Sequence, residues 1–423
     1  MFGSCCKIFI GVFFMNIIAF GGNLDSNTMD SKILRLVYPQ WQGGDITSWF
    51  SDLSLQEAAK GYILGAEILN LLVDSVRKDS IESMESKMQD SKKDSIESKL
   101  QDSNTESKTL KSKKDSNIES KNSKNPNNFT QNNTLDSKNH NFQMQDSKQN
   151  SKKDSNIESK SRENIAIVDI SKDLKLDSNS QRIVQNGIID GEILKKQTSK
   201  ALQILNARKP QKILTLGGEC SVSVAPFTYL NSVYKGDLAV IWLDAHPDVG
   251  LPFDNFYKGY HAMAVSALLG KNSKNAKSEN HNDKNATFDL QKDFNLPSHI
   301  ESSKVILVGL HSKEATHFTR RVREFDLTTL SVKDVAKDSK KLLAWLESTG
   351  VSRVAIHLDL DVLDASELYI AVGNSGVMGI SQVSRLINDV ASRYDVVALT
   401  IAEHFPKAEI QLKRLLETLP LIK

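Results

Sequence analysis

Leu238-Ala239-Val240-Ile241-Trp242-Leu243 runs directly into Asp244-Ala245-His246-Pro247-Asp248. The first stretch is an unbroken apolar run of strand length, the pattern of a β-strand buried on both faces. Straight after it stand Asp244, His246 and Asp248 at alternate positions, so an extended continuation puts all three on one side. A strand-exit loop accounts for any one of these polar residues, but less easily for a trio of metal-ligand types.

A second run has the same design. Val354-Ala355-Ile356-His357-Leu358 ends in Asp359-Leu360-Asp361, with Asp364 beyond. Asp359 and Asp361 share a face at i and i+2, where two like charges repel. If they meet Asp244 and Asp248 across neighbouring strands, the cluster is tolerable only with bound cations or bound protons. A third run, Lys212-Ile213-Leu214-Thr215-Leu216, ends in Gly217-Gly218-Glu219-Cys220-Ser221. Its paired glycines permit a sharp turn and close backbone approach, which delivers Cys220 to the same edge.

Working outward, strand-like runs at 34–38, 165–170, 304–310 and 395–401 join these three. They alternate with helical stretches through Glu57, Ala58, Ile63, Leu64, Ile68, Leu71 and Leu72, and near 190–207, 338–348 and 381–392. Alternation of this kind predicts an α/β protein, a three-layer α/β/α sandwich with a mostly parallel central sheet. Chemistry in such sheets gathers outside the carboxyl ends of the strands.

Two stretches break the pattern. Residues 77–163 are dominated by Asp, Ser, Lys, Asn, Glu and Gln, and repeat Lys-Asp-Ser-Ile-Glu-Ser at 78 and 93. Residues 271–284 have the same flavour. Both read as disordered, low-complexity insertions looped out of a single catalytic domain at 29–423, because they carry too little apolar surface to offset their ordering entropy.

The charge balance, 54 basic against 52 acidic residues, has no concentrated basic run and argues against nucleic acid as a partner. The cysteine content of 3 offers no disulfide framework and fits a reducing cytoplasm. Lys7 and the apolar run from Ile8 to Phe20 have the form of a secretory signal and are too short for a stable membrane span. Residues 1–28 therefore read as an apolar extension. A start at Met29 with cytoplasmic placement is the favoured reading, and secretion by residues 1–22 the alternative.

Gly-Gly-Glu-Cys-Ser, Asp-Ala-His-Pro-Asp, Tyr260-His261-Ala262-Met263, Asp359-Leu360-Asp361 and Ala402-Glu403-His404 occur in an order that resembles the arginase, agmatinase and formimidoylglutamase (ureohydrolase) family. The resemblance implies an arginase-like fold and a binuclear metal centre. One metal is then held by Cys220, Asp244, Asp248 and Asp359, the second by Asp244, His246, Asp359 and Asp361, with Asp244 and Asp359 bridging. The family has Asp-His where this chain has Glu219-Cys220, so a thiol replaces a histidine ligand. Mn²⁺ is the family expectation, and the softer sulfur moves preference toward Zn²⁺, Fe²⁺, Co²⁺ or Ni²⁺.

The same resemblance implies cleavage of a guanidino or amidino C–N bond of a linear amidine by a metal-activated hydroxide, releasing urea or a related product. Asp248 then orients the hydroxide, His261 carries the proton to the leaving amine, and Glu403 pairs with the cationic head. His404 reads as structural. The loop Val249–Lys258 holds no serine or threonine, which disfavours arginine and favours a different or more apolar tail. Other readings stay open: a non-catalytic metal-binding protein of this fold, and a mononuclear deacetylase-like site that needs a tyrosine over the substrate carbonyl. A homo-oligomer, trimer or hexamer, is the family expectation.

Overall fold

Strands form where β-branched and aliphatic residues run without a break, and each takes one side of a shared parallel ladder. In the computed structural model, residues 33–46, 50, 52–111, 164–170, 181–254, 257–273, 288–311, 316–373 and 376–420 are described. Segments 1–28, 112–163 and 274–284 of the expectations above lie outside the described residues.

The large sheet comprises β1 (Ile33–Tyr38), β2 (Ile165–Ile167), β3 (Lys212–Gly217), β4 (Ala239–Leu243), β5 (Val305–Val308), β6 (Thr328–Leu330), β7 (Arg353–Asp359) and β8 (Asp395–Ala402). Its order is β6-β5-β4-β7-β8-β3-β1-β2, and every neighbouring pair is parallel. Helices supply the crossovers that parallel pairing requires. The expected sandwich is present, with a sheet that is parallel throughout.

Alternation along the strands divides the core between the two faces. Val240 and Trp242 of β4 pack with Ala355 of β7 on one face, together with Leu194, Leu202 and Leu205 of helix Gly191–Arg208. Ala239, Ile241 and Leu243 pack with Val354, Ile356 and Leu358 on the other, under Leu342 and Leu346 of helix Lys340–Thr349 and Leu386 and Val390 of helix Ile380–Ala391. Burying both faces explains why these strands show no polar alternation.

Helix Leu55–Lys111 opens with a capping box: Glu57 Oε2 accepts from Ser54 N at 2.9 Å, and Ser54 Oγ accepts from Glu57 N at 3.3 Å. Its buried face is Ala58, Tyr62, Ala66, Leu69 and Val73, whereas Leu71 and Leu72 are exposed. This corrects the face read from the sequence. Gly61 and Gly65 draw the helix against Phe405 and the His404 carbonyl; a Cβ on Gly65 would lie 1.8 Å from that oxygen.

Contacts divide the chain into two units, 1–75 with 164–423, and 76–163. Helix Leu55–Lys111 extends over 77–111, the first part of the stretch read as an insertion. Val76–Lys111 has no glycine or proline, the residues that most disfavour a helix interior. Among the described residues, no helix is long and apolar enough to cross a membrane.

Candidate metal centre

β4, β7, β8 and β3 are consecutive in the sheet, so their carboxyl ends form one edge. Leu243 is level with Leu358, Asp359 with Ala402, and Ile401 with Leu216. Whatever follows each strand is delivered to the same place. At the end of β3 the chain passes so close to Gln40 that a Cβ on Gly218 would lie 1.7 Å from its carbonyl oxygen, and only glycine fits. The buried Glu219 carboxylate then accepts from Ser221 N at 2.7 Å and Ser221 Oγ at 2.8 Å, starting the turn Cys220–Ser223. That turn points Cys220 inward.

Two donor groups result. Cys220, Asp244, His357 and Asp359 each offer an atom within 4.8 Å of the others, and so do Asp244, His246 and Asp361. Asp244 belongs to both. Its Oδ2 accepts from Trp242 Nε1 at 2.9 Å and its Oδ1 from His246 N at 2.6 Å, which fixes the carboxylate between the groups. His246 Nδ1 lies 2.9 Å from Asp361 Oδ2.

Asp248 and Asp359 differ from the implied ligand sets. β4 ends at Leu243, and Asp248 has a left-handed φ of 48°, so the extended run assumed for Asp244, His246 and Asp248 is broken. Asp248 is in neither group as the side chains stand, although its buried Oδ2 has no hydrogen-bond partner. Asp359 falls only in the first group: its Oδ2 accepts from Cys220 Sγ at 3.0 Å and its Oδ1 from Asp361 N at 2.7 Å.

Electrostatics mark this edge as a place built for cations. Burial, then the charges of Asp359, Asp248, Glu403 and Asp244, push the Cys220 thiol well above its ordinary range. Burial and neighbouring carboxylates do the same to Asp248 and Asp359. For His246, burial favours the neutral ring, but Asp361 and Asp244 outweigh it and raise the pKa well above normal. Anionic donors crowded in a buried site, with orphaned atoms at Asp248 Oδ2 and His357 Nε2, suit divalent cations.

His261 and Glu403 flank the donors. His261 Nδ1 is 3.4 Å from Glu403 Oε1, and its Nε2 is 2.6 Å from Tyr257 Oη. Glu403, buried at a φ of 64°, also accepts from Cys220 N at 3.2 Å and from Tyr62 Oη. Burial lowers the His261 pKa, yet the hydrogen bond and charge of Glu403 win and the net shift is upward. His404 hydrogen-bonds the Gly65 carbonyl at 3.1 Å, a structural role.

A family model described as the arginase family matches residues 139–415. The chain belongs to the arginase family. An arginase of Staphylococcus aureus is 25% identical over 210 residues, covering 48% of this chain and 61% of its own length. An arginase of Plasmodium berghei is 23% identical, covering 56% of this chain and 66% of its own length. The match thus spans less than two thirds of the length of these curated relatives. Among solved structures, a Bacillus caldovelox arginase has a TM-score of 0.45 at 19% identity, covering 59% of this chain and 81% of that one. An Entamoeba histolytica arginase has 0.46 at 15%, covering 60% and 82%.

In this arginase-family chain the sequence reading missed His357, although the signal was present. His357 stands two residues before Asp359 in β7, on the face that Asp359 and Asp361 were expected to share. Its ring stacks on Trp242 at 3.6 Å, its level neighbour on β4, and its Nδ1 is 2.8 Å from Ser223 Oγ. Burial pulls its pKa down to about 3. Tyr62 and Tyr257 were also missed, since each reaches the site from a distant or irregular segment.

Proposed function

We propose that the chain is a metal-dependent hydrolase of the ureohydrolase type that opens a guanidino or amidino C–N bond of a linear amidine. The observation carrying this reading is Asp244, one buried carboxylate common to two adjoining donor groups. Asp244, with the donors of both groups, would hold divalent cations there. Cations held there supply Lewis acidity, bringing the pKa of a water down to about 7.

This chain's own residues do the rest. Asp248, with an unpartnered oxygen, accepts a proton from the attacking water or a hydrogen bond that aligns it. The water oxygen bonds to the planar amidinium carbon and the C–N bond breaks. His261 holds a proton against Glu403 and passes it to the departing nitrogen, and Tyr257 fixes its ring through Nε2. Glu403 offsets the positive charge of the head group.

The loop 249–258 argues for a substrate other than arginine. It lacks serine and threonine, and its one acid, Asp254, is already paired with Arg321 Nη1 at 2.5 Å and Nη2 at 2.8 Å. A substrate amine finds no free carboxylate there. An amidino head on a more apolar tail, agmatine-like or formimino, is the substrate class we propose, acted on in the cytoplasm by a homo-oligomer.

Urea and ammonia release from arginine, agmatine, guanidinobutyrate, formiminoglutamate and guanidine tests this, with the full chain loaded separately with Mn²⁺, Ni²⁺, Co²⁺, Fe²⁺ or Zn²⁺. Turnover that disappears in Asp361→Ala supports the hydrolase and names its head group. Bound metal without turnover on any of these substrates overturns it in favour of a non-catalytic metal protein.

A further inference from the structure

We infer that the centre is asymmetric: Cys220, Asp244, His357 and Asp359 make a closed four-donor site for a borderline-soft cation, beside an open three-donor site of Asp244, His246 and Asp361. The inference rests on the two-cation reading above and adds His357 as a ligand.

His357 is the observation that carries it. The residue is 0% exposed, yet its Nε2 has no hydrogen-bond partner. A buried imidazole nitrogen without a partner is costly unless something else occupies its lone pair. Nothing about the ring is loose. Trp242 stacks on it at 3.6 Å with 13° between the planes, and Ser223 Oγ engages Nδ1 at 2.8 Å. A hydroxyl on Nδ1 fixes the ring's orientation and leaves Nε2 as the unengaged nitrogen, as partners of metal-bound histidines do. The ring contributes an atom within 4.8 Å of Cys220, Asp244 and Asp359.

Donor chemistry then separates the two sites. A thiolate, an imidazole and two carboxylates complete a tetrahedron of the kind that Zn²⁺, Co²⁺ and Fe²⁺ accept, and sulfur disfavours Mn²⁺. Four protein donors leave no position for water. Three donors in the second group leave one free, the arrangement of catalytic sites. Charge agrees: Cys220, Asp244, Asp359 and Asp361 as anions balance two divalent cations.

Titration of the metal-stripped full chain with Co²⁺, followed by absorption and by bound cobalt, tests the assignment. The expected result is two equivalents, one of them giving a thiolate-to-cobalt charge-transfer band and intense tetrahedral bands. In His357→Ala that equivalent weakens on the order of 100-fold or more, so its bands appear only at correspondingly higher Co²⁺, since losing even an outer partner costs up to about that much. Ser223→Ala weakens it about tenfold with the bands kept. Asp361→Ala shows the opposite pattern, retaining the bands and losing the other equivalent, a contrast that misfolding does not produce. Unchanged affinity and bands in His357→Ala overturn the inference, as do two equivalents bound without a thiolate band. One equivalent with a His357-dependent band upholds the closed site and removes the two-cation reading instead.

Discussion

Cys220 Sγ lies 3.0 Å from Asp359 Oδ2, so a proton sits between two groups that a cation must find deprotonated. Burial raises both, and neighbouring carboxylates add to it. Cation uptake therefore expels protons, and affinity climbs with pH. Calorimetry in buffers of different ionisation enthalpy reads the proton count directly; a heat of binding independent of buffer contradicts the prediction.

The same groups set how the metal-free fold responds to pH. Their folded pKa values lie above the unfolded ones, so the native state binds more protons than the unfolded chain between the two. Stability from the Asp359 carboxyl is fully present below about pH 4 and falls as pH rises through its folded value. Metal-stripped protein should melt lower at about pH 8 than at about pH 5, and added metal should reverse the order.

His261 and Glu403 form a second linked pair. Burial opposes the charge on the ring, but Glu403 prevails and the pKa rises. The stabilisation from this pair is complete below about pH 6.5 and is lost as pH rises through the raised folded value. Glu403→Gln should lower the His261 pKa in an NMR titration. His261→Asn should reduce turnover by roughly 10²–10⁴-fold with metal content unchanged.

Gly373 guards the second donor group. It adopts a φ of 79°, and a Cβ there would lie 2.2 Å from Asp361 Oδ2. Gly373→Ala combines backbone strain with displacement of a donor carboxylate. Loss of one metal equivalent, with the Cys220 equivalent retained, is the expected outcome by metal analysis of the purified protein.

Asp254 ties down the segment after β4 through Arg321 and through Leu251 N at 2.8 Å. Asp254→Ala frees the segment that carries Tyr257 and His261. Steady-state kinetics should show a higher KM with a smaller change in kcat, and Arg321→Lys, which loses the two-pronged contact, should behave alike.

Much of the architecture could be read from local pattern. Apolar runs such as 238–243 and 354–358, each ending in acids, specify strands buried on both faces with chemistry at one end. Period two puts His357 and Asp359 on one face of β7, but the strand ends at Asp359 and the turn Leu360–Val362 carries Asp361 to the other donor group. The order of the motifs then points to the family. The helix through Leu71 and Leu72 was harder, because its packing face depends on what approaches Gly61 and Gly65, in the case of His404 from 339 residues away in sequence.

Which donors meet was a matter of tertiary structure. Sequence spacing assumes that an extended chain stays extended, and the left-handed turn at Asp248 breaks that assumption. His357 looked like one more residue of an apolar strand until the β4–β7 register set it on Trp242 and the turn after β3 brought up Ser223 and Cys220. Residue types and their order follow from short-range rules of burial and turn chemistry. The distances between donors follow from sheet order, register and a few glycine-permitted approaches, and these arise only when distant segments pack.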